Sequence, residues 1–263
     1  MKSVLQSWGI FIGCCLAWEA ATRAAASHYF PAPSTIVATA HELWFSGPPG
    51  QLFLTETALD NILPSLGRMS VGLLISVVVG VVLGFALGRS PTARAYLDPL
   101  LQLFRAIPPP TMVPVFIVLL QIGTQMQLAT IVFATIWPIM MNTTDGFRSI
   151  EPLYLETSQV FRLSAAQRLR LVLIPSAMPK IFAGLRLSLS VALILMVFSE
   201  LMPGTSNGIG YLLQDAYAVG DLPRMWSAIV LIGLLGYLLN MVLLAVQRRA
   251  LAWQAGAQRL SAD

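Results

Sequence analysis

Charged residues are scarce in this sequence. Asp, Glu, Lys and Arg make up 11% of its 263 residues, whereas hydrophobic residues make up 56%. Soluble domains carry about a quarter charged residues, so the composition excludes an ordinary soluble protein. The mean hydropathy of +0.74 instead indicates a polytopic membrane protein. A membrane helix needs about 20 residues, which leaves room for six spans and little else.

Cysteine and histidine are rare as well, with two residues of each. Cys14 and Cys15 are adjacent within one apolar segment, a spacing that suits neither a disulfide framework nor a metal site. The apolar segments contain no His/Asp/Glu cluster at metal-ligand spacing and no Ser/His or Cys/His pair at nucleophile spacing. We therefore expect no catalytic residues, no metal and no enzyme activity in this chain.

Long apolar segments alternate with short polar connections. They cover approximately residues 8–26, 62–88, 100–121, 128–146, 181–202 and 226–247. The sequence therefore predicts an all-α polytopic membrane protein with residues 1–263 in a single transmembrane domain. The first segment is similar to a signal peptide. Glu19 and Arg23 favour a retained span instead, because they stand four residues apart and can neutralise each other within a helix.

Basic residues are unevenly distributed between the connections. If the N-terminus is cytoplasmic, only Arg23, Arg68 and Arg224 of the 16 Lys and Arg residues fall on the outer side, which leaves 13 inside or at the inner boundary. This positive-inside bias predicts that both termini are cytoplasmic. Topology explains the net charge of +4, and nucleic-acid binding has no separate support.

The second apolar segment carries small residues at a strict spacing of four. They are Gly72, Ser76, Gly80, Gly84 and Gly88. Residues four apart lie on one face of a helix, and a stripe of small side chains lets another helix approach closely. The stripe predicts a packing face, either within the subunit or between subunits.

The third apolar segment is interrupted by prolines, including Pro108 and Pro109. Each proline removes a backbone donor, and broken helices are tolerated at membrane depth only where protein or a watery cavity meets them. We therefore expect this segment to be broken and to line the interior. In the fourth segment, Asn142 follows Trp137-Pro138 and is a weaker pathway candidate.

Two ionisable residues lie at similar depth near the outer ends of the second and fifth segments. Intramembrane charges are functional candidates by default, so Arg68 and Glu200 are predicted to pair near an outer gate. A purely structural salt bridge is the alternative.

The outer connections predict two short helices. Prolines at 31 and 33, with Ser34 or Thr35 as a cap, predict an amphipathic helix that ends before Gly47. The turn from Gly204 to Gly210 precedes a second short helix, which is either a gate or an ordinary connection.

The longest inner connection, residues 151–180, predicts a helical hairpin. Pro152 suits the first position of a helix, and Ser164 with Gln167 has the spacing of a capping box that begins a second helix. Two interpretations stay open on composition alone. The hairpin lies on anionic headgroups, or it inserts its short helix into a partner protein.

This hairpin resembles the cytoplasmic EAA loop of binding-protein-dependent ABC importer permeases, in which EAA is followed by three residues, Gly, nine residues and I-x-L-P. Glu156-Thr157-Ser158 occupies EAA, Arg162 occupies the glycine, and residues 172–175 occupy I-x-L-P. If position 162 is left-handed, a residue other than glycine costs about 1 kcal/mol there. Further matches look like the nitrate, sulfonate and taurine branch: Trp18-Glu19, Pro31–Ser34, Leu97–Pro99, Ile107–Pro109, Asn142–Gly146, Pro175–Pro179, Gly184–Arg186 and Gly208–Tyr211.

The resemblance implies a type I ABC importer permease (MetI-like) with six transmembrane helices, multi-pass in a bacterial inner membrane. It implies a translocation pathway for a small anion or sulfonate-like solute that an external binding protein delivers. Other implied partners are membrane lipid, a cytoplasmic ABC ATPase dimer and a second copy of the permease or a close relative. The implied ATPase-coupling residues are Leu153, Leu155, Glu156, Thr157, Ser158, Phe161, Arg162, Ser164 and Pro175.

No phosphate-binding loop of the form G-x-x-x-x-G-K-[ST] occurs in the sequence. We therefore expect no cofactor in this chain, with ATP and Mg²⁺ bound by the partner ATPase. A secondary transporter or channel without an ATPase is the alternative, since broken helices and buried charges suit it, but that function leaves the hairpin without a role.

Overall fold

The computed structural model describes residues 2–25 and 29–253, with side chains described from Trp8 onward. These residues form helices and no strand. The helices are α1 (Lys2–Ala25), α2 (Pro33–Trp44), α3 (Glu56–Arg89), α4 (Pro91–Ala106), α5 (Val113–Leu120), α6 (Thr124–Arg148), α7 (Pro152–Val160), α8 (Ala165–Arg168), α9 (Ile174–Glu200), α10 (Ile209–Ala218) and α11 (Leu222–Ala250). A π-helical turn, Leu169–Leu173, joins α8 to α9, and short 3₁₀ turns occur at Pro49–Gln51 and Pro109–Met112.

Four helical stretches in the described part of the chain are long and apolar enough to cross a membrane. They are Pro49–Arg89, Thr124–Arg148, Ala165–Glu200 and Leu222–Ala250. The pair Pro91–Ala106 and Pro109–Leu120, bent by 86°, supplies a fifth if it is one broken span. The first predicted span corresponds to α1, which is not among these helices. The six-span topology and the cytoplasmic termini therefore stay predictions.

The chain divides into two compact units. Unit 1 consists of Met1–Leu66 and Glu200–Leu235, and unit 2 consists of Gly67–Ser199 and Gly236–Asp263.

In unit 1, a carboxylate joins α1 to the start of α2. Glu19 accepts hydrogen bonds from Arg23 Nε at 2.6 Å, from the Ser34 hydroxyl at 2.7 Å and from the Ser34 N–H at 3.0 Å. The predicted i, i+4 pair of Glu19 and Arg23 is thereby confirmed. The predicted cap by Ser34 or Thr35 was wrong, because α2 begins at Pro33 with Ala32 as its N-cap and no side-chain cap. Proline has no N–H to satisfy at this position, and Ser34 binds Glu19 instead.

In unit 2, the small-residue stripe of α3 lies against α6. A methyl group added at Gly84 would lie 2.6 Å from the Thr143 Cβ, and one at Gly88 would lie 2.8 Å from the Phe147 Cβ. Between these glycines and Gly72, the Ser76 hydroxyl lies 2.7 Å from the hydroxyl of Thr135. The close approach lies within the subunit, and it brings the two backbones nearer than any larger side chain would permit.

The proline-rich segment breaks as expected. The helix α4 ends at Ala106, Ile107 and Pro108 are extended, and α5 starts at Val113 after a 3₁₀ turn. Prolines 108 to 110 have no amide hydrogen, so they cannot continue the hydrogen bonding of α4. The hydroxyl and the N–H of Thr111 both donate to the Pro108 carbonyl, which fixes the turn.

Candidate functional site

The hairpin predicted to contact an ATPase begins with α7. Glu151 is the extended N-cap residue, and Pro152 occupies the first helical position. The Tyr154 N–H donates to the Glu151 carbonyl at 3.1 Å, which starts the first turn. Proline here fixes φ without the loss of an intrahelical bond, so the sequence sets the start of this helix locally.

A Schellman turn ends α7. The Leu163 N–H donates to the Ser158 carbonyl at 3.0 Å, and the Arg162 N–H donates to the Gln159 carbonyl at 2.8 Å. These are the two bonds of that motif, which spans residues 158–163 and places its fifth residue in the left-handed region. Arg162 has φ of +50° and occupies this position, at which the EAA-loop pattern has glycine. The turn therefore keeps its geometry and accepts the strain of a side chain.

Replacing Arg162 by glycine is expected to stabilise the turn by about 1 kcal/mol, because glycine adopts positive φ without a Cβ clash. Thermal unfolding of the purified protein measures the change. Arg162→Ala is the control, since alanine removes the charge but retains the Cβ. An equal gain in both variants would show that charge, rather than backbone strain, limits stability here.

The side chains of α7 divide between the subunit's interior and its surface. Leu155 packs against a buried cluster formed by Phe147, Ile150, Leu173 and Ala177. Ser158 is 2% exposed, and its hydroxyl donates to the Leu155 carbonyl at 2.6 Å.

The opposite face of α7 is open. Leu153 is 63% exposed and Phe161 is 73% exposed, while Glu156 and Thr157 lie exposed between them. The surface available to a partner is therefore built by Leu153, Glu156, Thr157 and Phe161. Leu155 and Ser158 hold the helix onto the subunit.

The second arm of the hairpin starts with the predicted capping box, which is confirmed. The Ser164 hydroxyl accepts from the Gln167 N–H at 3.3 Å, and the Gln167 side chain accepts from the Ser164 N–H at 2.9 Å. The π-helical turn Leu169–Leu173 follows and leads directly into α9. A π-helical turn inside a long helix is rare and frequently marks a functional site.

A cavity of about 640 Å³ lies beside the hairpin. Its walls include Tyr154 and Phe161 from the α7 side, Leu171 from the π-helical turn, the predicted site residue Pro175, and Trp253, which follows α11. The sequence did not predict Trp253 as part of this site, because it is far from residues 149–179 in the chain and no local pattern relates them.

In unit 1, three side chains bind the first backbone amides of α10. The Gly208 N–H donates to Asn61 Oδ1 at 2.9 Å, the Ile209 N–H to Ser65 Oγ at 2.9 Å, and the Gly210 N–H to Glu200 Oε2 at 3.0 Å. The Ser65 hydroxyl donates to the Glu200 carboxylate at 2.8 and 2.9 Å. A helix N-terminus leaves its first N–H groups without intrahelical partners, so this network fixes where α10 begins.

The predicted pathway residues fall at different places. Arg68 is buried in unit 2 and donates to Gln127 Oε1 at 2.8 Å, whereas Glu200 belongs to unit 1. Their pairing stays a prediction. The Asn142 side chain donates to the Pro138 carbonyl at 2.8 Å on its own helix.

A second cavity, of about 430 Å³, lies in unit 2. Of the predicted pathway residues, Pro109 alone lines it. Pro108 is exposed and its carbonyl accepts the two bonds from Thr111. The second cavity is also lined by Arg105 and Trp137. In the sequence, Arg105 served only as evidence for topology. Because it lies within an apolar segment, it is also a functional candidate by the rule applied to Arg68.

Groups of three or more His, Cys, Asp or Glu side chains that could hold a metal ion are not found within residues 2–25 and 29–253. The expectations of no metal and no cofactor stay predictions.

Comparison with known proteins identifies the family. The family model "Binding-protein-dependent transport system inner membrane component" matches residues 76–251. The taurine transport system permease protein TauC of Escherichia coli (strain K12) is 31% identical over 92% of this chain and 86% of its own. The putative aliphatic sulfonates transport permease protein SsuC of Bacillus subtilis (strain 168) is 30% identical over 85% and 78%. The nitrate import permease protein NrtB of Synechocystis sp. (strain ATCC 27184 / PCC 6803 / Kazusa) is 35% identical over 68% and 65%.

Among solved structures, the MetNI methionine ABC transporter in an inward-facing conformation has a chain that superposes with a TM-score of 0.61. That likeness covers 72% of this chain and 94% of the other, at 20% identity, and shows that the two share a fold. The family match over residues 76–251 identifies the class of protein, and the shared fold agrees with it. The chain belongs to the family of inner-membrane components of binding-protein-dependent transport systems, as a permease subunit of an ABC importer with the MetI-type all-helical fold.

Proposed function

We propose that this permease carries a small oxyanion or sulfonate-like solute across a bacterial inner membrane, in an assembly driven by a separate ATPase dimer. The names of its relatives support this solute class, since they include transporters of taurine, aliphatic sulfonates and nitrate. In the proposed assembly two permease copies form the pathway, and an external binding protein delivers the solute. The ATPase binds ATP and Mg²⁺, and both permease termini are cytoplasmic.

The observation that carries the proposal is the open face of α7. Exposed apolar side chains at Leu153 and Phe161 flank the carboxylate of Glu156 on a helix whose other face is anchored in the subunit. An amphipathic helix displayed in this way suits insertion into a groove of another protein. In the proposal Leu153 and Phe161 bury apolar area in the ATPase, and Glu156 pairs with a basic side chain there.

The anchoring of α7 explains how the contact could transmit force. Leu155 packs against a cluster that includes Phe147 of α6 and Ala177 of α9. A displacement of α7 by the ATPase would therefore act on both helices through packed side chains. ATP binding shifts the permease from inward-open to outward-open only if the ATP-bound ATPase binds these two states of the permease with different affinity. In the proposal, the contact with α7 provides this difference in affinity.

The proposal predicts that Phe161→Ala lowers ATP-driven uptake about tenfold, as expected for the loss of a well-buried aromatic contact at an interface. Glu156→Ala is expected to lower it by a smaller factor. Uptake and co-purification of the ATPase are measured together. Tyr96→Ala is the matched control, because Tyr96 is exposed on α4 and lies outside the hairpin.

Normal uptake and normal ATPase co-purification in both hairpin variants would overturn the docking role and favour a hairpin lying on the membrane surface. Uptake that continues without the ATPase would instead favour a secondary transporter or channel.

A further inference from the structure

The cavity of about 430 Å³ in unit 2 has one charged residue in its lining. It lies where the proline break between α4 and α5 faces α6 and α9, and Pro109 and Pro138 contribute to its walls. The remaining lining is largely apolar, with Val191, Ile194 and Leu195 supplied by α9. A cavity at a broken helix is where interrupted backbone is tolerated in a membrane protein.

Arg105 supplies the charge of this cavity. It lies in the last turn of α4, within the third predicted span, and it forms no ion pair with an Asp or Glu side chain in the described part of the chain. A guanidinium group stays protonated and presents several N–H donors in a planar fork that matches oxyanions. An arginine that lines a cavity without a protein counter-charge is a candidate ligand for a solute anion.

Trp137 supplies an aromatic wall of the same cavity. Its ring is held by Phe133 at 5.8 Å, and Phe133 in turn contacts Phe116 of α5 at 6.1 Å. Its indole N–H is buried, so a ligand oxygen in the cavity does not reach it. Trp137 therefore contributes aromatic surface to the cavity rather than a hydrogen bond.

We infer that this cavity is a transit site for a small oxyanion, such as a sulfonate or nitrate, with Arg105 binding two oxygens and the Trp137 ring packing against the solute. This inference rests on the proposed function for the solute class, and it adds a site and two specificity-determining residues. The apolar lining suits the hydrocarbon part of a sulfonate. Because there is a single cation, binding is weak enough for release, as transport requires.

The test uses the complex of the permease with its ATPase in nanodiscs of phosphatidylcholine. Sodium methanesulfonate is the probe, and dimethyl sulfone at the same ionic strength is its uncharged counterpart of similar size. Methanesulfonate at several times its dissociation constant is expected to raise the thermal midpoint by about 2 °C, whereas dimethyl sulfone does not. Arg105→Gln loses the shift, and Trp137→Ala, which removes the aromatic wall, reduces it. Arg94→Gln, which removes a charge from the same helix outside the cavity, retains it.

Uptake by the full transporter gives the second readout. With saturating binding protein, Arg105→Gln is expected to lower the maximal rate at least about tenfold, with partial recovery in Arg105→Lys. Equal shifts with methanesulfonate and dimethyl sulfone, or no shift in the native complex, would overturn the site. A loss from Arg105→Gln that appears only in phosphatidylglycerol nanodiscs would assign this arginine to lipid headgroups instead. Failure of the ATPase to co-purify with the native permease would overturn the proposed function rather than this site.

Discussion

Leucine at Gly84 is expected to prevent folding of the permease. A methyl group alone would lie 2.6 Å from the Thr143 Cβ and 2.7 Å from the Met140 carbonyl oxygen, which is closer than real contacts allow. The Met140 carbonyl belongs to the backbone of α6 and cannot rotate away as a side chain would. Overpacking of a tight interface costs about 1–3 kcal/mol for small insertions, and leucine adds three more carbons than alanine.

Gly67 provides the matched control on the same helix. Beyond the backbone of its own helix, no atom of the described residues lies within 4 Å of a methyl group added there. Gly67→Ala is therefore expected to be neutral or stabilising by up to about 1 kcal/mol, because alanine favours helix over glycine. Gly84→Ala should be destabilising, although it brings the same gain in helix propensity. Yield of monodisperse protein and thermal unfolding measure both, and equal behaviour at the two positions would show that the contact of α3 with α6 is not tight.

Alanine at Glu200 is expected to lower solute uptake by two orders of magnitude or more. The carboxylate is 1% exposed and accepts the Ser65 hydroxyl and the Gly210 N–H. Its removal leaves both donors buried without that acceptor, and breaking a buried charged network costs about 3–5 kcal/mol. The first turn of α10 would then lose its attachment. In the predicted topology this helix lies on the outer side, where the binding protein is proposed to deliver solute.

Ser65→Ala tests whether the network acts locally on the start of α10 or on the stability of the whole protein. It removes one hydroxyl from the network but retains the carboxylate, so uptake is expected to fall by about tenfold. Ser70→Ala, at an exposed position of the same helix, should have no effect. Hydrogen exchange of the α10 amides gives the structural readout. Unchanged protection of Gly208, Ile209 and Gly210 in Glu200→Ala would contradict the proposed role of this carboxylate in fixing α10.

Local chemistry explains most of what the sequence predicted correctly. The capping box at Ser164, the start of α7 at Pro152 and the pairing of Glu19 with Arg23 each depend on residues a few positions apart. The break after Ala106 follows from proline's missing N–H alone. Family resemblance supplied the class of protein, which the match to residues 76–251 shows.

Tertiary placement explains what the sequence did not predict. The apolar pattern of α7 does not say which side meets a partner, and the structure turns Leu155 inward and leaves Phe161 outside. Glu200 accepts a hydrogen bond from Ser65, which lies 135 positions earlier, and no local pattern predicts that the two residues meet at the start of α10. The cavity beside Arg105 is formed by three separate segments, so neither its size nor its lining could be derived from spacing.

In the proposed assembly, the exposed face of α7 contacts the ATPase. A photo-crosslinking amino acid, p-benzoylphenylalanine, placed at Phe161 in the assembled transporter tests it directly, because this side chain is 73% exposed and its replacement is of similar shape. The same amino acid at Val118, 83% exposed on α5, is the control. A covalent product of permease and ATPase is expected from position 161 and none from position 118. Crosslinks from position 161 to lipid alone, in a transporter that retains uptake, would contradict it.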